Sequence, residues 1–588
     1  MGRFLKIALG LGFIAAALHL GAINNELTYD DHFAIERNPT TERPLDLPAH
    51  FTGGFWGPAY RDRDAAWRPL VTLSFAWNRA AHGVSPAGYH LVNVLLHGLV
   101  VVFLALLARA LGLRDEYALA AAALFAVHPL HVDAIAAGVG RADVMLGALG
   151  IGALLAWERR RTALALALLA AALLSKEMAV ALAPVMLWRE VTRRESPSWR
   201  WALPLSVVAA WIGARLAVLG TLGGAHPSML ENPVAGAGIA AHLWAAGDSY
   251  WLSLQLFVAP VTLVADYSYA TFVPGASVTA VLGLVALAMT AAATLWTARR
   301  APIVSTALAL WLAPFLIVSH LGPTLPMAFA ERVLYLPTAG LCVLAAAGLA
   351  RLADRPALLR PAAAVFAIAC ALFAVRSIGR VPDWRDDATL HAATAEDAPR
   401  NVKALSNAAR MRAAGGDLPG ALALAGRALA VGETIPVAHI TAASLYVQAG
   451  DPQAAARHIA RARELNPDIA EMTAVECAFA ARYRPDLAVE PCLAATRAPY
   501  AQPEAYMFLA IAHDNAGDPA AADAAFQTAI GMAVNPDVTL AFNYGVFLLN
   551  HRRYDEARAM LSRAAELAPD RTDIRGALAA ATEAAARQ

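Results

Sequence analysis

FLKIALGLGFIAAALHLGAI, residues 4–23, followed by NNELTYDD, residues 24–31, decides how this chain is read. The first stretch is apolar enough and long enough to cross a bilayer, which takes about 20 such residues. Two adjacent carboxylates, Asp30 and Asp31, then stand where the chain should surface. A paired acid at that boundary can reach a substrate carried by a lipid. Arg3 and Lys6 lead the run as they would in a cleaved signal peptide, but no small-x-small site precedes Asn24. A retained span is therefore expected.

Composition agrees with a membrane protein. The chain has 588 residues, 58% of them hydrophobic, and a mean hydropathy of +0.48. That is too apolar for a soluble protein and too long for one domain. A net charge of +1 gives no reason to expect nucleic acid as a partner. Of the four cysteines, Cys342 and Cys370 lie in apolar runs and read as small core residues. Cys477 and Cys492 lie in the polar C-terminal part and can pair only if that part sits in an oxidising compartment. Spacing alone does not bring two sulfurs together.

Apolar stretches recur from Phe4 to Ile378, interrupted by a long polar loop at 24–88 that is expected to fold on the membrane surface. The next span starts near Tyr89. Basic residues cluster at Arg109/Arg114, Arg159–Arg161, Arg189–Arg200, Arg299/Arg300 and Arg351–Arg360. The positive-inside rule assigns these to the cytoplasm. The pieces between them then face outward: 24–88, the His128–Asp143 turn, Ser175-Lys176-Glu177, Thr221–Ala237, Asp266–Pro274 and Gly322–Glu331. This predicts about 11 transmembrane helices. Ile239–Ala259 carries His242, Asp248 and Gln255 and is read as a surface helix, and Lys176 as the tip of a shallow hairpin.

Beyond Ile378 the pattern changes to Ala-rich segments with a period of about 34 residues, the tetratricopeptide spacing. Gly416-Asp417, Gly450-Asp451 and Gly517-Asp518 fall at the turn inside each helix pair. Ala421, Ala455, Ala522 and Ala557 take the tight crossing position, and Ala428, Ala462, Ala529 and Ala564 recur seven residues later. Small residues are needed there because the helix axes approach closely. The expectation is an all-α chain: a polytopic membrane domain at 1–380, a linker at 381–400, and about five repeats with a capping helix at 401–588.

Ionisable groups in or near spans are candidates for function. His90, Asn93 and His97 share one helix face by their spacing of three and four. In His128-Pro-Leu-His131-Val-Asp133, two imidazoles and a carboxylate fall within about a turn, a pattern that admits a divalent metal, although polar packing at an outer boundary or a phosphate contact explains it as well. Arg141 and Asp143 follow and can pair with each other. Lys176-Glu177 and Arg332 with Tyr335 interrupt other apolar regions. Arg141, Lys176 and Arg332 on one predicted side suit a shared anionic ligand, with Lys as a point charge and Arg as a fork, while single boundary cations also snorkel. Asp266-Tyr267-Ser268 adds a polar wall. Asp30 and Asp31 are the candidates for catalysis, because activating a hydroxyl needs a nearby, partly desolvated carboxylate.

The motifs Tyr29-Asp30-Asp31, Trp67-Arg68-Pro69-Leu70, Gly88-Tyr89-His90-Leu91-Val92-Asn93, Val127-His128-Pro129-Leu130-His131, Gly140-Arg141-Ala142-Asp143, Ser175-Lys176-Glu177, Asp266-Tyr267-Ser268 and Ala330-Glu331-Arg332 through Tyr335-Leu336-Pro337 occur in this order. Together they resemble the transmembrane and tetratricopeptide repeat-containing O-mannosyltransferases, in a short, bacterial-like form. The resemblance implies a GT-C fold, an acidic catalytic motif on the first outer loop with Asp30 as the base, and a sugar on a polyprenyl phosphate as donor. Arg332, Lys176, Arg141 and Tyr335 are then the candidates to hold the donor phosphate, with His90, His97, His128, His131, Asp133, Asp143, Glu177 and Asp266 as further active-site candidates. Asp133 stands where many relatives carry Glu. Asn407 and Asn543 occupy equivalent repeat positions, but Thr441 and Phe508 break an Asn ladder that would grip an acceptor peptide. The resulting expectation is an inverting transferase of the bacterial inner membrane, with active site and repeats in the periplasm, acting on Ser or Thr hydroxyls of a secreted protein. The rivals are a scaffold recruiting partners through its repeats, a transporter, and a GT-C transferase acting on a glycan or lipid.

Overall fold

The structure, a computed structural model, describes residues 2–58, 66–193, 199–223, 227–322, 324–498, 501–533 and 538–587. Residues 59–65 of the first loop, 194–198 of the basic stretch, 224–226 and 323 of two outward pieces, and 499–500 of the third repeat lie outside the described residues. Among the described residues all regular structure is helical, apart from an isolated bridge between Tyr269 and Phe272. The chain divides into two units, Met1–Leu405 and Ser406–Gln588.

Among the described residues of the first unit, six helical segments are long and apolar enough to cross a membrane: Arg3–Asn24, Pro86–Ala110, Trp199–Leu219, Val278–Thr297, Glu331–Arg351 and Pro356–Trp384. A seventh is reached if Asp115–Val127 and Pro129–Ala136, bent by 55°, count as one span. The expectation of about 11 is therefore corrected. Hydropathy reads composition, but a crossing also needs length. At 1.5 Å per residue, the 12-residue helix Thr162–Leu173 and the 11-residue helix Leu182–Thr192 fall well short of a hydrocarbon core of about 30 Å. Lys176 stands at the turn between these two helices. Pro302–Val318 is apolar but only 17 residues long, and Arg141–Glu158 carries a charge at each end and Asp143 in its first turn.

Pro86–Ala110 is the hub of this unit. It packs against Arg3–Leu18, Asp115–Val127 and Arg141–Glu158. Its crossing with the first helix runs through two glycines: a Cβ on Gly12 would sit 2.6 Å from Gly98 O, and one on Gly98 would sit 2.6 Å from Gly12 O. Small residues let helix backbones approach in the absence of a hydrophobic driving force between them. Gly147 gives the same service to a side chain, leaving room for the Tyr335 ring that a Cβ would meet at 2.5 Å.

Residues 381–400, read as a linker, carry a 3-10 turn at Val381–Trp384 and a helix at Asp387–Asp397 inside the first unit. They pin the start of the first loop. Asn25 donates from Nδ2 to Val381 O (3.1 Å), and Glu26 N donates to Arg385 O (2.8 Å).

The second unit is made of repeat-like helices. The pairs that lead into and fill it are Val402–Ala414 and Leu418–Val431, Pro436–Ala449 and Pro452–Leu465, Glu471–Tyr483 and Val489–Arg497, Pro503–Asn515 and Pro519–Met532, and Val538–Asn550 and Tyr554–Leu567. Thr572–Ala586 follows them. The Gly-Asp turns work as a two-part device. Gly416, Gly450 and Gly517 take φ of +86°, +80° and +81°, which only glycine adopts freely. The Asp that follows each one caps the next helix, accepting from Gly420 N (2.9 Å), Ala454 N (2.9 Å) and Ala521 N (3.0 Å). All eight alanines singled out above are fully buried. The Glu471–Tyr483 pair lacks the Gly-Asp turn and is stapled by a Cys477–Cys492 disulfide instead.

Candidate active site

Tyr29 has φ of +53°, a left-handed conformation that a bulky residue enters only when its surroundings impose it. That kink separates the directions of the two acids after it. Asp31 turns inward and is fully buried. Its Oδ2 accepts from Thr28 N (3.1 Å) and Gly138 N (2.9 Å), and its Oδ1 from Val139 N (2.7 Å). Burial pushes its carboxyl up to about 6, against the pull of those three amides. Asp31 is thus saturated, clamping the first loop to the turn before Arg141.

Asp30 stays partly accessible, and its Oδ2 lies 3.6 Å from Arg332 Nη2. Arg332 Nη1 lies 3.6 Å from Asp133 Oδ1, and Arg332 N donates to Asp133 Oδ2 (3.0 Å). Asp133 is buried, so one flank of the guanidinium is held by a fixed carboxylate while the other faces Asp30. Lys176 Nζ meets Asp143 Oδ1 at 2.5 Å, both largely buried. Glu177 receives Arg68 in a two-pronged contact, from Nη2 to Oε1 (2.6 Å) and from Nε to Oε2 (3.1 Å).

Arg141 does not share this surface. It is fully buried, and its Nε donates to Asn93 Oδ1 (2.9 Å), Nη1 to Asn78 Oδ1 (2.5 Å) and Nη2 to Tyr89 O (2.7 Å). Its guanidinium also lies 5.0 Å from the Phe75 ring centroid. Asn93 in turn donates to Ala137 O (2.9 Å). In this arrangement Arg141, expected as a phosphate ligand, joins three segments of the first unit. Tyr335 also turns into the bundle, where its hydroxyl donates to His97 Nδ1 (2.8 Å).

The histidines are consumed by the fold. His90 bonds Glu26 O (3.2 Å). His128 accepts from Leu130 N (3.3 Å) and donates to Phe257 O (3.0 Å), while His131 bonds Phe125 O and Thr338 Oγ1 at 2.8 Å each. With every ring nitrogen of His128 and His131 engaged, neither is free to ligate. Among the described residues no group of three or more His, Cys, Asp or Glu side chains is placed to hold a metal ion.

A second polar knot touches Tyr29. Lys403 Nζ lies 3.2 Å from Asp266 Oδ2, 4.0 Å from Glu231 Oε1, and 5.4 Å from the Tyr29 ring centroid. Burial favours the neutral Asp266, but Lys403 outweighs it and holds that carboxyl below the usual range. Asp387 Oδ1 accepts from Tyr29 N (2.8 Å), and its Oδ2 accepts from His32 Nε2 (2.9 Å). Sequence reading missed Lys403 and Asp387. Each lies more than 300 residues from Tyr29 in sequence, in segments read as a repeat helix and a linker.

No protein-family model matches the chain. It is similar to Protein O-mannosyl-transferase Tmtc1 of Drosophila melanogaster, 39% identical over 29% of this chain and 21% of the fly protein. Protein O-mannosyl-transferase Tmtc3 of the same fly is 26% identical over 65% of this chain and 50% of that protein. The chain is homologous to these proteins but spans about half their length or less. Further relatives of the same description come from Caenorhabditis elegans, Mus musculus, Homo sapiens and Xenopus laevis. All are animal proteins, which corrects the expectation of a bacterial-like member. The assignment to a bacterial inner membrane with a periplasmic active site falls with it. Integral membrane character stands on the long apolar helices. Among solved structures, a thermophilic TPR protein of Thermus thermophilus is 20% identical over 31% of this chain and 99% of that one, at a TM-score of 0.28. That score adds nothing to the fold described above.

Proposed function

We propose that this chain is a membrane glycosyltransferase of the GT-C type. It moves a sugar, mannose by its kinship, from a polyprenyl-phosphate donor to a Ser or Thr hydroxyl of an acceptor protein. The observation that carries the reading is Asp30 Oδ2 set 3.6 Å from Arg332 Nη2, with Asp133 on the other flank of the same guanidinium. This puts an accessible carboxylate beside a fixed cation, the two kinds of group that such a transfer needs.

In the reaction Asp30 takes the proton of the acceptor hydroxyl. The oxygen attacks C1 of the sugar from the face opposite the lipid phosphate, the C1–O bond to that phosphate breaks, and its electron pair leaves with the phosphate. The configuration at C1 inverts. Arg332 and Lys176 stabilise the leaving phosphate, and preorganised charge of this kind is usually the largest catalytic term. Both cations already hold carboxylate partners, so the donor phosphate joins an existing network. Asp31 and Arg141 act through the backbone geometry they impose. Nothing in this scheme requires a metal.

The test is Asp30→Asn in purified protein in lipid, with donor binding measured apart from transfer. The amide keeps the shape but cannot take the proton. Transfer should fall by about two to four orders of magnitude while donor affinity holds. Near-normal turnover would remove Asp30 from the chemistry and favour the scaffold reading.

A further inference from the structure

Resting on the reading of Asp30 as the base, we infer that Lys403 is a positioning residue for that base: it pins the Tyr29 side chain and thereby fixes the left-handed turn that presents Asp30 to Arg332. The turn needs an external hold. A tyrosine at φ of +53° is strained, and strain of order 1–3 kcal/mol persists only where surrounding contacts over-determine it. Three contacts do so. The Tyr29 amide is tied to Asp387 Oδ1 at 2.8 Å, the ring meets His391 edge-on with centroids 5.5 Å apart, and the Lys403 ammonium lies 5.4 Å from the ring centroid.

Lys403 is itself immobilised. Asp266 and Glu231 hold its ammonium from two different loops, and Asp266 is fixed by Ser268 N (2.8 Å) and by Asn401 Nδ2, which donates to Asp266 O (2.7 Å). Burial works against the charge, yet Asp266, Tyr29 and Glu231 keep the ammonium protonated well above the ordinary lysine range. One half-buried cation therefore gathers the first loop, the 227–237 segment and the 266–272 segment at the residue just before the base. It stands on the first turn of Val402–Ala414, the helix that leads into the repeats.

The test compares Lys403→Met, Lys403→Arg and Lys403→Gln in the full chain reconstituted in lipid, with polyprenyl-phosphate mannose as donor. Three quantities are read: kcat for transfer, donor affinity, and amide hydrogen exchange of residues 28–32. A misplaced base costs on the order of 10²-fold in rate, so Lys403→Met should lose about that much in kcat with donor affinity unchanged and exchange at 28–32 accelerated. Lys403→Arg keeps the charge over the ring and should restore both. Unchanged exchange at 28–32 in Lys403→Met overturns the inference. Should Lys403→Met unfold, Lys403→Gln decides, since it keeps a polar side chain but removes the charge over the ring: faster local exchange with lower kcat supports the pin, and parental values for both overturn it. Asp30→Asn separates this inference from the reading beneath it. If that variant keeps its turnover, the base is elsewhere, while the exchange data still report whether Lys403 holds the turn.

Discussion

Asp30 and Asp31 are adjacent and chemically identical, and three backbone amides give them different roles. Thr28, Gly138 and Val139 donate to Asp31 and leave its carboxylate no free face, whereas Asp30 keeps an open side toward Arg332. Asp31→Asn cannot accept all three bonds, because one of its two polar atoms becomes a donor. Leaving a buried amide unsatisfied costs about 1–3 kcal/mol, so this variant should melt at a lower temperature than the parent in detergent, while Asp30→Asn should not. Loss of transfer in an Asp31→Asn protein that melts like the parent would move the chemistry to Asp31. The pair was legible in the sequence as an acidic motif after a span. The division of roles was not, because Gly138 and Val139 lie 107 and 108 residues away. Arg141 shows the same blindness: nothing local in the sequence tells that Asn78, Asn93 and Tyr89 O engage all its nitrogens.

Elements were readable where a period or a composition marks them and obscure where length or partnership decides. The first span, the hub helix and the Gly-Asp repeat turns all follow from local pattern. Helices such as Thr162–Leu173 are apolar but too short to cross, so counting apolar runs overshoots the spans. The helix Asp387–Asp397 was hidden in an apparent linker, although it anchors the first loop through His32. His32 donates to Glu36 (2.5 Å) and Asp387 (2.9 Å), and the bond to Asp387 first, then that to Glu36, raises its pKa to about 10. A histidine raised from 6.5 in the unfolded chain contributes stability that is fully present below pH 6.5, so long as its carboxylates stay ionised. That contribution is lost as pH rises through about 10. His32→Gln should therefore melt below the parent at pH 6.5, and the gap should close by about pH 10. A gap that stays constant across this range would mean that His32 acts by packing and not by charge.

At the scale of the whole molecule, motif order carried the kinship and chain length misled. A short chain with these motifs reads as bacterial-like, yet the relatives are animal proteins and length holds no record of lineage. The second unit was the most legible part, since its small residues and turn glycines repeat in register. Two pairs depart from this: the fifth turns through Arg552 and Arg553, and the third has neither an Asp cap nor a turn glycine and carries the Cys477–Cys492 bond instead. The two cysteines are 15 residues apart, and closing a loop of that size removes enough freedom from the unfolded chain to contribute about 3 kcal/mol. Such a bond forms and lasts only in an oxidising compartment. Alkylation of the unfolded, unreduced chain should therefore label Cys342 and Cys370 and spare the other two. Replacing Cys477 and Cys492 together by Ser should speed amide exchange across Glu471–Tyr483 and Val489–Arg497 while leaving the segment around Asp30 unchanged. Labelling of all four thiols without reductant would show that the staple is not made. Unaltered exchange in the double variant would show that the packing of Ala480, Ala488 and Ala495 holds this degenerate pair without it.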